Sequence, residues 1–269
     1  MWKILKYLSL LAAGITVFWN QPIYRHYKID GKGQLKNIKI VFLSDLHNSE
    51  YGKDQRRLLK MIEKTSPDLI FFGGDIADEK SDKGPVVRLL MALEDQYPMF
   101  YITGNHEYWM ENPAGVHQLF RDYGVEVLID ATTHIQTSKG LISLVGLDDP
   151  DHEMGHSDRT SIRHSIESTY ESSVMKGYKI LLSHRPEHIN TYMKYGFDLI
   201  LSGHAHGGQV RIPWLLNGLY CPNQGFLPKY AGGLYSFEET DFIVSRGLSF
   251  RKKLPRVMNP PEVVVITID

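Results

Sequence analysis

Apolar and polar stretches alternate regularly between residues 39 and 206. Five apolar runs have the length and the β-branched or aromatic content of buried strands. Because polar segments of helical period lie between them, the pattern predicts a mostly parallel sheet whose strand carboxyl ends share one edge. The five runs with their polar endings are KIVFLSDLH (39–47), LIFFGGD (69–75), FYITGNHE (100–107), KILLSHR (179–185) and LILSGHAH (199–206).

The polar segments between the runs are long enough to form helices of several turns. A further apolar run at 141–147 continues the strand pattern and ends at Asp148 and Asp149. Asp45, Asp75 and Asn105 recur every 30 residues, which is the size of one strand-helix-strand unit. The predicted helices cover 53–65, 84–96, 113–123, 159–173 and 186–195.

The two ends of this alternating region have different patterns. Residues 24–29 and 38–43 flank a turn containing Gly31 and Gly33, so we expect them to form a β-hairpin. From Gln209 onward, short strands separated by Gly and Pro predict an antiparallel sheet in the C-terminal third. These short strands cover 209–212, 232–237, 241–246 and 263–268. Without an internal linker, residues 23–269 form one predicted catalytic domain.

The first 22 residues resemble an export signal. Lys3 and Lys6 precede an uncharged stretch whose apolar part, Tyr7–Trp19, is short for a membrane-spanning helix. We expect residues 1–22 to be a membrane anchor or uncleaved signal that places the enzyme outside the cytoplasm, at the cell membrane. A cleaved signal, and an amphipathic or core helix of a cytoplasmic protein, are the alternatives.

The amino-acid composition excludes several kinds of partner and of metal site. With 30 Lys and Arg against 31 Asp and Glu, the chain lacks the basic excess of a general nucleic-acid binder, so no nucleic-acid partner is expected. Cys221 is the only cysteine, which excludes an intrachain disulfide and a cysteine-zinc cluster. Any metal must therefore be bound by His, Asp, Asn or Glu, a ligand set that suits Mn, Fe or Zn.

Each of the five runs ends in side chains that can bind metals. Asp45 and His47 are two residues apart, so in a continuing strand they would share one face. Asp75 follows two glycines that allow a close backbone approach, and its two carboxylate oxygens can bridge two cations. Asn105 offers a neutral amide oxygen as a ligand. Imidazole nitrogens come from His184, His204 and His206.

Together these residues predict a site for two metal ions. Two cations about 3.5–4 Å apart can hold a hydroxide at neutral pH and neutralise the charge that develops in an in-line displacement at phosphorus. Each motif alone is also compatible with an ordinary solvated turn. Their occurrence in order, each after an apolar strand, favours the metal site.

The order D-x-H, GD, GNHE, a lone His and G-H-x-H resembles the calcineurin-like metallophosphoesterase superfamily over residues 38–269. The resemblance implies a four-layer α/β/β/α sandwich of two mixed sheets flanked by helices. It also implies that one metal is held by Asp45, His47, Asp75 and His206, and the other by Asp75, Asn105, His184 and His204. His106 would contact the phosphate and assist the leaving oxygen, with Asp78 as its partner.

The C-terminal segments GHAHGGQVRIPWL, GLYCPNQG and PKYAGGLY resemble a bacterial branch of this superfamily. That branch contains membrane- or cell-wall-associated phosphodiesterases and the enzymes that cleave UDP-2,3-diacylglucosamine pyrophosphate. We therefore expect a phosphodiester or pyrophosphate substrate that is lipid-like, a nucleotide sugar or part of the cell envelope. A phosphate monoesterase, or a binding protein on a degenerate phosphoesterase scaffold, is the alternative.

Overall fold

The computed structural model describes residues 17–79, 82–152, 159–171, 175–250 and 255–269. Most of the predicted anchor, residues 1–16, therefore lies outside the described residues. Within the described ranges, no helix has the length and apolar character needed to cross a bilayer.

The described chain contains fourteen strands and six α-helices. The strands are β1 (Ile23–Ile29), β2 (Ile38–Leu43), β3 (Leu69–Gly73), β4 (Met99–Ile102), β5 (Val125–Val127), β6 (Ala131–Thr137), β7 (Gly140–Gly146), β8 (Tyr178–Leu182), β9 (Leu199–Ser202), β10 (Tyr220–Cys221), β11 (Gly225–Phe226), β12 (Gly233–Ser236), β13 (Asp241–Val244) and β14 (Glu262–Ile268). The helices are α1 (Arg56–Thr65), α2 (Gly84–Leu93), α3 (Asn105–Tyr108), α4 (Pro113–Asp122), α5 (Arg159–Glu171) and α6 (Ile189–Tyr192).

Twelve of the strands form two six-stranded mixed sheets. The first sheet has the order β1-β14-β2-β3-β4-β5, and the second has the order β12-β13-β9-β8-β7-β6. The central strands β2, β3 and β4 run parallel to one another, as do β7, β8, β9 and β13. Strands β10 and β11 form a separate small hairpin.

Three apolar clusters define four layers. The inner faces of both sheets share one cluster, which contains Phe42, Phe71, Leu144 and Ile180. The outer face of the first sheet packs against α1, α2 and α4, and the outer face of the second packs against α5 and α6. Because both faces of the central strands are buried, they read as continuous apolar runs. The predicted α/β/β/α sandwich is confirmed.

The expected hairpin of residues 24–29 and 38–43 is wrong. Strand β14 lies between β1 and β2, parallel to β1 and antiparallel to β2. The Gly31–Gly33 turn instead carries the chain past this inserted strand. The turn residues are compatible with a direct β1–β2 hairpin and with a strand inserted between β1 and β2. They do not specify whether a strand from elsewhere in the chain lies between the two.

The expected C-terminal antiparallel sheet is also wrong. Strands β12 and β13 form an antiparallel hairpin, but β13 then joins β9 in parallel and so extends the second sheet. Strand β14 goes to the first sheet. Residues 209–212 form only isolated bridges, Val210 with Val257 and Ile212 with Leu216. The apolar strands of this region therefore complete the two existing sheets.

Candidate metal centre

The site residues come together where the central strands of both sheets end. Two groups of side chains have potential ligand atoms within 4.8 Å of one another, and they share Asp75. Asn105, at the start of α3, follows β4 at the same edge. The first group contains Asp45, His47, Asp75 and His206, and the second contains Asp75, His184 and His204. This division of side chains matches the one that the family resemblance implies.

Asp75 lies between the two groups. Its Oδ2 atom is 3.5 Å from His47 Nε2 and 3.3 Å from His184 Nε2. Its Oδ1 accepts a hydrogen bond of 2.9 Å from the backbone N–H of His106. Within the first group, His206 Nε2 is 3.4 Å from Asp45 Oδ1. One carboxylate therefore faces imidazoles from both groups, as a bridging ligand requires.

The donor atoms fit metal ions because several are buried and lack a protein partner. Within the described part of the chain, Asp45 Oδ2, Asn105 Oδ1 and His184 Nε2 have no hydrogen-bond partner. All three residues are at least 95% buried, and buried polar atoms left unsatisfied cost about 1–3 kcal/mol each. Cations coordinated by these atoms would remove that cost, so the residues present fit a metal centre.

Neighbouring groups hold the imidazoles in orientation. His47 Nδ1 is 3.0 Å from Asp78 Oδ2, and His206 Nδ1 is 3.1 Å from Ser249 Oγ. His184 Nδ1 is 2.8 Å from the carbonyl oxygen of Gly73. Because a carbonyl oxygen only accepts, His184 Nδ1 must donate, which leaves the lone pair of the neutral ring on Nε2.

The backbone of the site is strained. Asp45, His47, Asp75, His204 and His206 all have positive φ angles, between 46° and 65°. Such left-handed conformations are uncommon for residues other than glycine, and they persist where the surroundings enforce them. They turn each strand end sharply, so that the side chains converge.

Two glycines allow these sharp turns to pack closely. Gly74 has φ +83°, and a Cβ there would lie 2.6 Å from His184 Nδ1. A Cβ on Gly104 would lie 2.3 Å from Asp75 Oδ1. Space explains the glycine in both the GD and the GN pair, and the positive φ of Gly74 is a second reason in the GD pair.

Burial and mutual charge set the protonation of the two carboxylates and of His184. Burial opposes ionisation of Asp75, but the facing His184 and His47 hold its pKa well below the usual range. For Asp45, burial dominates and raises the pKa, and repulsion from Asp75 adds to that effect. Burial lowers the pKa of His184, yet Asp75 outweighs it and raises the value to about 10. Metal binding would therefore displace a proton from His184.

The other two ligand candidates on the GHAH loop stay neutral. Burial, helped by the neighbouring Arg185 guanidinium, lowers the pKa of His204 to about 3. Burial and the adjacent His47 lower the pKa of His206 well below its usual value. Neutral imidazoles keep a lone pair available for a cation.

His106 has different surroundings from the ligand candidates. Its Nδ1 lies 3.1 Å from Glu79 Oε2 and 3.5 Å from Asp78 Oδ2, and its ring packs against His47 and Trp109. Glu79 is therefore its nearer carboxylate, while Asp78 lies closer to His47. Burial lowers the pKa of His106, and the nearby carboxylates counteract this effect only in part.

Glu107 is a structural element of the site to which the motif analysis gave no role. Its two carboxylate oxygens accept hydrogen bonds of 2.8–3.0 Å from the backbone N–H groups of Asp75, Ile76, Ala77 and Gly104. It thereby ties the loop after β3 to the loop after β4. Its position three residues after Gly104 is a capping-box position, the one sequence signal for this role.

Arg185 is the second residue that sequence reasoning missed. Its guanidinium makes a bidentate ion pair with buried Asp149, with Nε–Oδ2 and Nη2–Oδ1 distances of 2.7 and 2.8 Å. It also lies 3.3 Å from His204 Nε2 and 3.1 Å from Asn223 Oδ1. The available signals were its position directly after His184 and the acidic ending of β7.

Two cavities open beside the ligand groups. One of about 290 Å³ is lined by residues that include His47, His206, Tyr220 and Arg256. The other, of about 220 Å³, is lined by residues that include Asp75, Asn105, Trp109, Arg185 and Asn223. His106, His206 and Pro222 line both. The two cavities therefore adjoin at these three residues.

A family model described as calcineurin-like phosphoesterase matches residues 38–208. The chain therefore belongs to the calcineurin-like phosphoesterase family, whose members are hydrolytic enzymes. The matched region spans the five strand endings and both ligand groups.

Named relatives agree with this assignment. An uncharacterized metallophosphoesterase of Campylobacter jejuni is 29% identical over 269 residues, which cover 96% of this chain and 66% of that relative. YkuE of Bacillus subtilis, also named an uncharacterized metallophosphoesterase, is 31% identical over 86% of this chain and 79% of its own. A zebrafish transmembrane protein with a metallophosphoesterase domain is 26% identical, with 87% and 54% covered.

The fold has solved counterparts. The crystal structure of TT1561 from Thermus thermophilus superposes with a TM-score of 0.51 at 12% identity, covering 80% of this chain and 91% of that protein. At this identity the likeness concerns the fold alone.

Proposed function

We propose that this protein is a dimetal phosphoesterase that hydrolyses a phosphodiester or pyrophosphate bond. The observation that carries the proposal is the position of Asp75, whose Oδ2 faces His47 on one side and His184 on the other. One metal would be held by Asp45, His47, Asp75 and His206. The other would be held by Asp75, Asn105, His184 and His204, and Mn, Zn or Fe suits both sets.

When bound, two divalent cations supply Lewis-acid activation of water and neutralise charge on the phosphoryl group. The protein's own residues supply orientation. Asp78 and the Gly73 carbonyl fix the rings of His47 and His184, and Glu107 fixes the backbone of Asp75. His106 lines both cavities, where it contacts the phosphate and stabilises charge on the leaving oxygen.

The two cavities favour a diester or pyrophosphate over a monoester. A diester carries two substituents on phosphorus, and the two cavities that adjoin at His106 and His206 offer room for both. A monoester would need only one of them. The two cavities also differ in character, with Tyr220 and Arg256 lining one and Arg185 and Asp151 lining the other. A monoesterase of the same fold is the alternative.

We also propose that residues 1–22 attach the protein to the cell membrane with the catalytic domain outside the cytoplasm. The apolar stretch Tyr7–Trp19 supports this proposal, as does the name of the zebrafish relative, a transmembrane protein with a metallophosphoesterase domain. A substrate that is lipid-linked, a nucleotide sugar or part of the cell envelope follows from this location and from the sequence resemblance.

The test compares bis(p-nitrophenyl) phosphate with p-nitrophenyl phosphate, using the full chain in detergent with defined metals. We expect a higher kcat/KM for the diester and no turnover by Asp75→Asn. A higher kcat/KM for the monoester would identify a phosphatase. Two bound metals without turnover of either substrate would favour a binding protein.

A further inference from the structure

The chain enters the first sheet at the edge that carries the metal centre. Ile23, the first residue of β1, is paired with Glu262, the first residue of β14. Because β14 is antiparallel to β2, its first residue lies at the end of β2 that leads to Asp45. Gly247, whose carbonyl oxygen accepts a hydrogen bond from the Glu262 N–H, packs directly on Asp45. The segment that follows the predicted anchor therefore arrives beside the site.

An apolar projection stands out from the same edge, directly after the GHAH loop. We define it as Trp214, Leu215, Phe226 and Leu227, whose exposures are 106%, 81%, 76% and 69%. Backbone hydrogen bonds between Ile212 and Leu216, and from Leu227 N–H to Leu219 O, hold its two tips. Because the backbone of the tips is held in place, these large apolar side chains stay exposed to solvent. Such a group of exposed apolar side chains is unusual on the surface of a soluble protein.

Val17, which lies inside the predicted anchor of residues 1–22, contacts the chain at the base of this projection. The backbone N–H of Met258 donates to Val17 O at 2.7 Å, and the adjacent Val257 bridges Val210. Phe18 and Trp19 are themselves 56% and 41% exposed. The apolar stretch of residues 7–19 therefore ends beside the projection.

A basic groove begins at the edge that carries the metal centre and runs along helix α1 toward the opposite edge. Its volume is about 680 Å³, and it runs between the segment Pro22–Tyr24 and helix α1. No ion pair joins its five cationic side chains to any other residue in the described part of the chain. These cations are Lys53, Arg56, Arg57, Lys60 and Lys64.

We propose that the edge carrying the metal centre docks on a lipid bilayer that contains anionic phospholipids. The apolar projection inserts at the interface, where Trp and aliphatic side chains are favoured. The basic groove binds anionic headgroups, since clustered Lys and Arg are attracted to such surfaces. This arrangement rests on the proposed membrane attachment, and it turns the two catalytic cavities toward phosphoesters in the headgroup region.

Insertion of the projection can be measured on the full chain with a fluorescent probe. In a Cys221→Ser background, Leu215→Cys carries the environment-sensitive label NBD. The matched control is Ser138→Cys, an exposed position in the β6–β7 turn at the opposite edge. The labelled proteins are reconstituted into vesicles of phosphatidylcholine and phosphatidylglycerol, some of them carrying a spin-labelled lipid.

We expect a blue-shifted emission and several-fold stronger quenching by the spin-labelled lipid at position 215 than at position 138. Equal emission and equal quenching at the two positions would overturn the proposal. So would a blue shift at 215 that appears in detergent alone and grows with protein concentration, because a second copy of the chain would then cover the projection.

The basic groove is tested by charge reversal. The double change Arg56→Glu and Lys60→Glu should abolish the dependence of quenching at position 215 on phosphatidylglycerol. The matched control, Lys28→Glu with Lys36→Glu at the opposite edge, should retain it. An unchanged dependence in the groove variant would overturn headgroup binding. Turnover of bis(p-nitrophenyl) phosphate in detergent is read separately, so failure of docking and failure of catalysis are distinguishable.

Discussion

Asp75 and His106 are joined by a hydrogen bond but have different chemical surroundings. The Asp75 carboxylate is buried among imidazoles, which keeps it ionised and ready to share between two cations. The His106 ring instead faces Glu79 and the two cavities. We therefore expect these neighbours to contribute in separable ways, one to metal binding and the other to turnover.

Replacement of His106 by Ala should leave both metals in place and lower kcat by about 10²- to 10⁴-fold, the usual contribution of a side chain that assists a leaving group. The measurement is kcat for the diester together with metal content by mass spectrometry. His134→Ala is the control, because His134 is an exposed residue of β6 that contacts Ser143. Loss of a metal from His106→Ala would make that residue a ligand instead.

The site residues that could be predicted from the sequence are those that stand in a short recognisable motif directly after an apolar run. Asp45, Asp75 and His184 each follow an apolar run, so their convergence at one edge follows from strand direction alone. Glu107 and Arg185 could not be found in this way. Their partners are backbone groups and a carboxylate from other strands, which only the folded chain brings near.

At the scale of elements, the buried pair of Arg185 and Asp149 joins the end of β8 to the end of β7. Both side chains are at least 96% buried, so the loss of Arg185 leaves the buried Asp149 carboxylate without its cationic partner. Burial opposes ionisation of Asp149, but Arg185 outweighs it and lowers the Asp149 pKa. The pair therefore stabilises the fold while the carboxylate is ionised.

Arg185→Met should lower the free energy of unfolding by about 3–5 kcal/mol at neutral pH, the usual cost of breaking a buried ion pair. The control Arg163→Met, which breaks an exposed i,i+4 pair with Glu167, should lower the free energy of unfolding far less. Denaturant unfolding with a chelator present measures both. Equal effects of the two changes would show that the buried pair is not stabilising.

The pH dependence of this difference has a definite sign. A carboxyl whose folded pKa is depressed stabilises the protein above its unfolded pKa, about 3.9 for Asp. That stability is lost as the pH falls through the lower, folded value. The difference between wild type and Arg185→Met should therefore be constant near neutrality and shrink below about pH 4.

The elements themselves were largely predictable, whereas their order in the sheets was not. Four of the five predicted helices coincide with α1, α2, α4 and α5 apart from their ends, and the central strands lie where the apolar runs predict. The predicted helix 186–195 is instead the short helix α6 between two 3₁₀ turns. The β1–β14–β2 order was missed because strand pairing over more than 200 residues leaves no local signal. The extension of the second sheet by β13 was missed because its parallel pairing with β9 is also non-local and has no signal in the turn that joins β12 to β13.

At the scale of the whole molecule, two sheets packed face to face bring their strand ends to one edge. Asp45, Asp75 and Asn105 come from the first sheet, while His184, His204 and His206 come from the second. The ligand groups therefore form only when the two sheets pack. Bound metals would in turn stabilise the sandwich, since a ligand that binds only the folded state raises its stability.

The central claim is that one carboxylate, Asp75, holds two metal ions at this edge. Metal content per chain, measured by mass spectrometry after equilibration with Mn²⁺ or Zn²⁺, tests it most directly. Wild type should bind two ions, and Asp75→Asn should lose affinity for both together with all turnover of bis(p-nitrophenyl) phosphate. Two tightly bound ions in Asp75→Asn, or full turnover by a chain holding a single ion, would contradict the account.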